Sequence, residues 1–194
     1  MLNLTAALQE RLYFLYKFIR FPKQIGSVTP SSPFLAKTML DAVPWGNVTA
    51  IAELGSGTGA ITKHLLAASP QPQHVLLFEK DDTLRAHLAR QYPDYAVYED
   101  ACQLETALLR EGIEQLDCIL SGLPFFNFPQ AVRDQILEQI NATLKPGGLF
   151  IAFQYSHQMK KQLSDRFDLL SIEFVPVNVP PAFVYVCQKR SEPN

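Results

Sequence analysis

Short apolar runs alternate along this chain with stretches whose apolar residues recur at helical spacing. The run 48–54 reads as a buried strand, and residues 60–66 after it as a helix. The alternation continues as strand 73–79, helix 81–91, strand 95–99, helix 103–112, strand 116–121, helix 130–144 and strand 148–154. Gly147 and Gly148, which follow Leu144, Lys145 and Pro146, are expected to end the helix over 130–144. Strands that alternate with helices predict a parallel sheet covered on both faces. The last two β-rich stretches, 168–176 and 182–188, are joined only by Val177 to Pro181. That link is too short for a helical crossover, so the two should pair as an antiparallel hairpin. The expected fold class is α/β: a seven-stranded sheet, mostly parallel, with a C-terminal antiparallel hairpin and helices on both faces.

Ahead of this pattern, residues 3–21 read as a helix that Asn3 or Thr5 can cap and Pro22 stops. A loop dense in hydroxyls follows, Gly26 to Ser32, and then a helix from Pro33 to about Val43 with Ser32 as its cap. Charge singles out the first helix. The chain carries −2 in all, which argues against a dedicated nucleic-acid binder. Up to Lys23, however, Arg11, Lys17, Arg20 and Lys23 face one acid, Glu10, which leaves +3 there and −5 on the remainder. Leu8, Leu12, Tyr13, Phe14, Tyr16, Phe18 and Phe21 are interleaved with those charges. A basic, aromatic helix with an apolar face suits an anionic membrane interface. Core packing with snorkelling basic rims, or a dimer contact, is the competing reading. Residues 1–24 are thus set apart as an amphipathic helix for membrane contact or as a lid. Residues 25–190 form the folded domain and 191–194 a disordered tail.

The 194 residues are enough for one domain with a full core. Cys102, Cys118 and Cys187 lie far apart and read as free thiols of a reducing compartment. His64, His74, His87 and His157 have no metal-ligand spacing, so no metal is expected. Neither a membrane span nor a signal-peptide order is evident. The expected location is the cytoplasm, peripheral on the inner face of the membrane.

The chemistry centres on Glu53, Leu54, Gly55, Ser56, Gly57, Thr58 and Gly59, at the junction of the first strand and its helix. Glycines let backbone approach a ligand closely, and the helix start beyond them offers unpaired N–H groups. Strand, glycine loop and helix make a shelf for a nucleotide-like ligand. The dinucleotide fingerprint would need a glycine at position 60, which is Ala60. The pattern is E-x-G-x-G-x-G, which resembles motif I of the class I S-adenosylmethionine-dependent methyltransferases, a Rossmann-like family. An acid should then end the second strand to hold the ribose hydroxyls, and Glu79, followed by Lys80, stands there. Asp100 and Ala101 follow the third strand, and the resemblance implies contact with the adenine through them. Ser27, Thr29 and Ser31 in the hydroxyl-rich loop suit the methionine carboxylate, with plain turn and cap chemistry as the alternative.

The fourth strand ends in Ser121, Gly122, Leu123, Pro124 and Phe125, and the resemblance implies that the first four border the cofactor beside its methyl group. The rRNA adenine dimethyltransferases carry N-L-P-Y at this place, so Leu123 to Phe125 match and Gly122 replaces the asparagine. The amide that orients a planar base amine is missing, and a backbone carbonyl and aromatics remain. Taken with the stretches Phe18 to Leu40, Glu53 to Ala60, Ser121 to Pro129 and Asn178 to Tyr185, the chain resembles the bacterial phosphatidylethanolamine N-methyltransferases. The resemblance implies S-adenosylmethionine-dependent methylation of a phospholipid amine, towards phosphatidylcholine. Aromatic faces attract methylated ammonium groups. Tyr13, Phe125, Tyr155, His157 and Tyr185 are therefore the candidates at the substrate, with His157 or a tyrosine able to take a proton. An RNA adenine methyltransferase, a soluble small-amine methyltransferase and a non-catalytic membrane-associated module are the alternatives.

Overall fold

The computed structural model describes residues 31–68 and 70–191. The first helix, Tyr13, Ser27, Thr29 and the tail beyond Ser191 lie outside the described residues. Seven strands form one sheet: β1 (Ala50–Leu54), β2 (His74–Phe78), β3 (Ala96–Tyr98), β4 (Leu116–Ser121), β5 (Leu144–Gln154), β6 (Asp168–Val175) and β7 (Ala182–Gln188). Their order is β3-β2-β1-β4-β5-β7-β6. The first five run parallel, and β7 lies antiparallel to both β5 and β6. Among the described residues, six α-helices cover the sheet: α1 (Pro33–Asp41), α2 (Thr62–Leu65), α3 (Asp82–Gln91), α4 (Leu104–Glu111), α5 (Gln130–Thr143) and α6 (Lys160–Arg166).

The period of two in the strands divides the core into two layers. In β1, Ala50, Ala52 and Leu54 face the layer of Leu104, Leu108, Leu137 and Ile140 from α4 and α5. Ile51 faces the other layer, with Leu35 and Met39 of α1, Leu65 of α2 and Leu88 of α3. Both faces are covered, so β1 is buried throughout. The strand order reverses between β1 and β4, and the carboxyl ends of those strands are where an open α/β sheet receives its ligand.

Three local expectations change. The helix after the glycine loop shrinks to Thr62–Leu65, because Gly55, Gly57 and Gly59 hold φ of 76°, 54° and 78° and the chain turns until Ile61. The helix expected to run to Val43 ends at Asp41. Gly147 and Gly148 do not end α5. That helix stops at Thr143, and Leu144 is already extended at φ −73°, ψ 143°. Leu144 is fully buried and pairs with Leu116 of β4, so sheet pairing claims it before the glycines are reached.

Candidate active site

The glycine loop is tied down from below. The N–H groups of Gly55 and Ser56 donate to Phe78 O at 2.8 and 3.0 Å, and Gly59 N–H donates to Ser56 O at 2.9 Å. Glu79 holds the loop from the side: Oε2 accepts from Gly57 N–H at 2.7 Å and Oε1 from Asp81 N–H at 2.9 Å. On the opposite wall, Gly122 N–H donates to Leu54 O at 2.8 Å and Ser121 Oγ accepts from Leu123 N–H at 3.2 Å. A Cβ at Gly55 would stand 2.9 Å from Leu123 Cδ2, so the two walls touch only because that residue is glycine. A Cβ at Gly57 would meet nothing within 4 Å, so the loop faces open space there.

Ser31, Glu53, Gly55, Gly57, Gly122 and Phe153 line one pocket, with Ser56 and Thr58 at its glycine-loop side. Glu53 is its one ionisable wall. It is 1% exposed, and Thr62 Oγ1 donates to its Oε2 at 2.7 Å. Its Oε1 is buried without a partner among the described residues. Burial pushes this carboxyl up to about 8; the Thr62 hydrogen bond opposes that and the nearby Glu79 charge adds to it. A buried, unpaired acid oxygen beside a glycine loop is shaped to receive a cationic group.

Lys80 and Asp100 line a second hollow, between the edge strand β3 and α4, together with Phe78, Tyr98 and Gln103. Asp100 Oδ1 accepts from Cys102 N–H at 2.9 Å, which caps the turn Ala101–Gln103, and Lys80 pairs with Glu99 at 2.7 Å. Ala101 is packed into the core. Pro124 leads into the turn Phe125–Asn127, which lies against the turn His157–Met159.

The aromatic candidates separate. Phe125 is 1% exposed and packs edge-on against Phe128 and Phe150, so it is a core residue, and the exposed ring of that turn is Phe126. Tyr185 is also core. It is fully buried, its hydroxyl donates to Ser156 O at 3.0 Å, and burial pushes it up to about 12. Tyr155 is half-buried, sits edge-on to Phe153 and is raised by burial. His157 is exposed, with its ring 4.1 Å from that of Phe183, which in turn lies 5.1 Å from Phe174.

Two residues here were given no site role by the sequence, although Asn178 opens a stretch that carries the resemblance. Asn178, 3% exposed, accepts from Ser32 N–H at 3.0 Å and donates to Pro180 O at 2.7 Å, which joins the N-V-P-P stretch to the start of α1. Gln154, 6% exposed, donates to Leu123 O at 2.9 Å. The one sequence signal for Gln154 is a lone polar residue closing an apolar strand.

An ornithine lipid N-methyltransferase from Singulisphaera acidiphila is 31% identical over 190 residues, spanning 95% of this chain and 99% of that protein. This chain belongs to a family of lipid N-methyltransferases. A ribosomal RNA small subunit methyltransferase A from Maridesulfovibrio salexigens is also 31% identical, over 125 residues, but these cover 64% of this chain and 46% of that protein. No protein-family model matches. The N-methyltransferase NodS from Bradyrhizobium japonicum, solved with S-adenosyl-L-homocysteine, shares the fold with a TM-score of 0.66 and 12% identity. It covers 82% of this chain and 89% of its own. TrmN from Thermus thermophilus does so at 0.59 and 22%, covering 88% of this chain and 52% of its own.

The lipid N-methyltransferase fold is thus the Rossmann-like methyltransferase sheet, and its cofactor is S-adenosylmethionine. The residues present fit that group: the open face of Gly57, the Glu79 carboxylate and the unpaired Glu53 oxygen would hold it. Among the described residues, no group of three or more His, Cys, Asp or Glu could hold a metal ion.

Proposed function

We propose that this lipid N-methyltransferase acts on the primary amine that ends a membrane-lipid head group. The ornithine lipid of its relative and phosphatidylethanolamine, with its partly methylated forms, are the two head groups to distinguish. Both end in a primary alkyl amine, so the same site chemistry serves either. The observation that carries this reading is the near full-length similarity to an ornithine lipid N-methyltransferase. When bound, S-adenosylmethionine supplies an electrophilic methyl group. The chain's own work is to hold the amine with its lone pair free, align it and keep water out. The arriving ammonium loses one proton first, and His157, exposed beside Phe183, is the side chain assigned to take it.

The amino-terminal stretch extends the reading to the membrane. Its local +3 on an otherwise negative chain draws it to anionic lipid, at about 1 kcal/mol per basic residue near the surface. The protein then works peripherally, from the cytoplasmic face. Incubation with labelled S-adenosylmethionine and vesicles of each amine lipid, followed by chromatography of the lipids, tests the substrate. Label in one of the two lipids supports the reading; label in neither overturns it. Label in added ribosomal RNA would favour the reading drawn from the shorter similarity to the RNA enzyme.

A further inference from the structure

We infer that Gln154 supplies, from strand β5, the amide that position 122 lacks, and that its carbonyl oxygen accepts an N–H of the substrate amine. The inference rests on the amine-lipid reading above. Position 122 is glycine for want of space. A Cβ there would lie 3.0 Å from Gly55 O and 3.4 Å from Phe153 Cε1. The β4 end packs so closely on the glycine loop that a side chain at 122 would press on the backbone that shapes the cofactor pocket. An amide for the amine has to come from elsewhere.

Gln154 is placed to provide it. Its Nε2 donates to Leu123 O at 2.9 Å and to Phe153 O at 2.6 Å. Two carbonyls around one end of a carboxamide identify that end as the nitrogen. The other end, Oε1, is therefore an acceptor turned away from both. The bond to Leu123 lies one residue beyond the pocket on each strand, since Gly122 and Phe153 line it. Leu123 O keeps a second lone pair. Gln154 Oε1 and the second lone pair of Leu123 O are the two acceptors assigned to the amine. Gln154 is also paired in register with Phe183 of β7, so the two side chains stand on the same sheet face. The Phe183 ring, tilted against His157 at 4.1 Å, gives that face an aromatic border for an alkylammonium.

Counting N–H groups makes this specific. A neutral primary amine presents its lone pair to the methyl group and has two N–H donors left for two acceptors. A monomethylated amine has one, and a dimethylated amine has none. Gln154 should therefore favour early transfers over the last one. An ordinary packing role would affect all of them equally.

The test uses the full-length protein with short-chain phosphatidylethanolamine and short-chain acyl-ornithine, each as the primary amine and as its N,N-dimethyl form. Gln154→Met keeps length and apolar bulk but removes both ends of the amide. The expected result is a fall of about fivefold to tenfold in kcat/KM on the primary amine, the scale of one lost hydrogen bond between neutral groups, with kcat/KM on the dimethyl form held within about twofold. The ratio is taken within one variant, so a smaller folded fraction cancels. Affinity for S-adenosylhomocysteine, measured by calorimetry, should be unchanged. Equal losses on both forms, or no loss on either, overturn the role of Gln154 and leave the lipid reading standing. A wild type that methylates none of the four amines overturns both.

Discussion

The two walls of the pocket are built on opposite principles. The β1–β2 wall is polar and fully tied: glycine N–H groups, Glu79 and Thr62 are committed to named partners, and one buried acid oxygen is held back. The surface beyond the ends of β4 to β7 is aromatic, with Phe126 52% exposed, Phe174 of β6 56% exposed, and His157 tilted against Phe183. Its fixed polar feature is the bond between Gln154 and Leu123. The proposed function gives the contrast a reason. A cofactor with one shape and several polar groups favours preorganised donors and acceptors. A lipid head group reached from a membrane favours apolar surface, which holds many geometries at little cost.

The sharpest way to break the contrast is at the contact between the walls. Gly55→Val would place a branched side chain at φ 76° and against Leu123. Binding of S-adenosylhomocysteine should fall below detection by calorimetry, and unchanged affinity would mean that the walls are not in mechanical contact. Next is Phe125→Ala. As a core ring it should cost about 3–5 kcal/mol of stability in a denaturant titration, whereas a residue of the aromatic wall would change turnover instead.

Glu79→Ala frees the N–H groups of Gly57 and Asp81 and removes the carboxylate expected to accept from the ribose hydroxyls. Cofactor affinity should weaken by roughly 1.5–3 kcal/mol in the folded variant. Glu53 gives a pH signature. Its carboxyl is raised from 4.5 to about 8 in the ligand-free protein, so between those values the folded state holds a proton that the unfolded state has lost. Its contribution to stability is therefore full below 4.5 and declines as pH rises through 8. Tm measured from pH 5 to 9 should fall more steeply in wild type than in Glu53→Gln, and parallel curves would remove Glu53 from this role. A cation arriving at the unpaired oxygen should also expel the proton, seen as proton release on cofactor binding at pH 7. The smallest effect on stability is expected at Phe126→Ala, within about 0.5 kcal/mol. Turnover on lipid vesicles should still drop, and an unchanged rate would show that the exposed ring plays no part.

Much of the site could be read from the chain because it is local. Glu53 to Gly59 occupy consecutive positions between a strand and a turn, and Glu79 ends the next strand, so spacing alone brings them to one edge. The carboxyl-terminal hairpin was legible for the same reason: the link is too short for any other pairing. The aromatic roles were not legible. Phe125 and Phe126 are adjacent and identical in chemistry, yet one is core and the other exposed, because a tight turn sends neighbouring side chains in different directions. The hydrophobic pattern marks both rings as apolar and carries no information on which one faces the sheet.

By itself, then, the sequence determined the order of elements, the sheet with its closing hairpin, and the cofactor edge, all of which depend on periodicity and short spacing. Only the tertiary structure decided which distant stretches meet. Asn178 reaches Ser32 across 146 positions, and Gln154 reaches Leu123 across 31. It also left Glu53 with one partnered and one unpartnered oxygen. Such pairings depend on strand order and on how closely two walls pack. Those are properties of the assembled sheet that no local pattern of apolar and polar residues encodes.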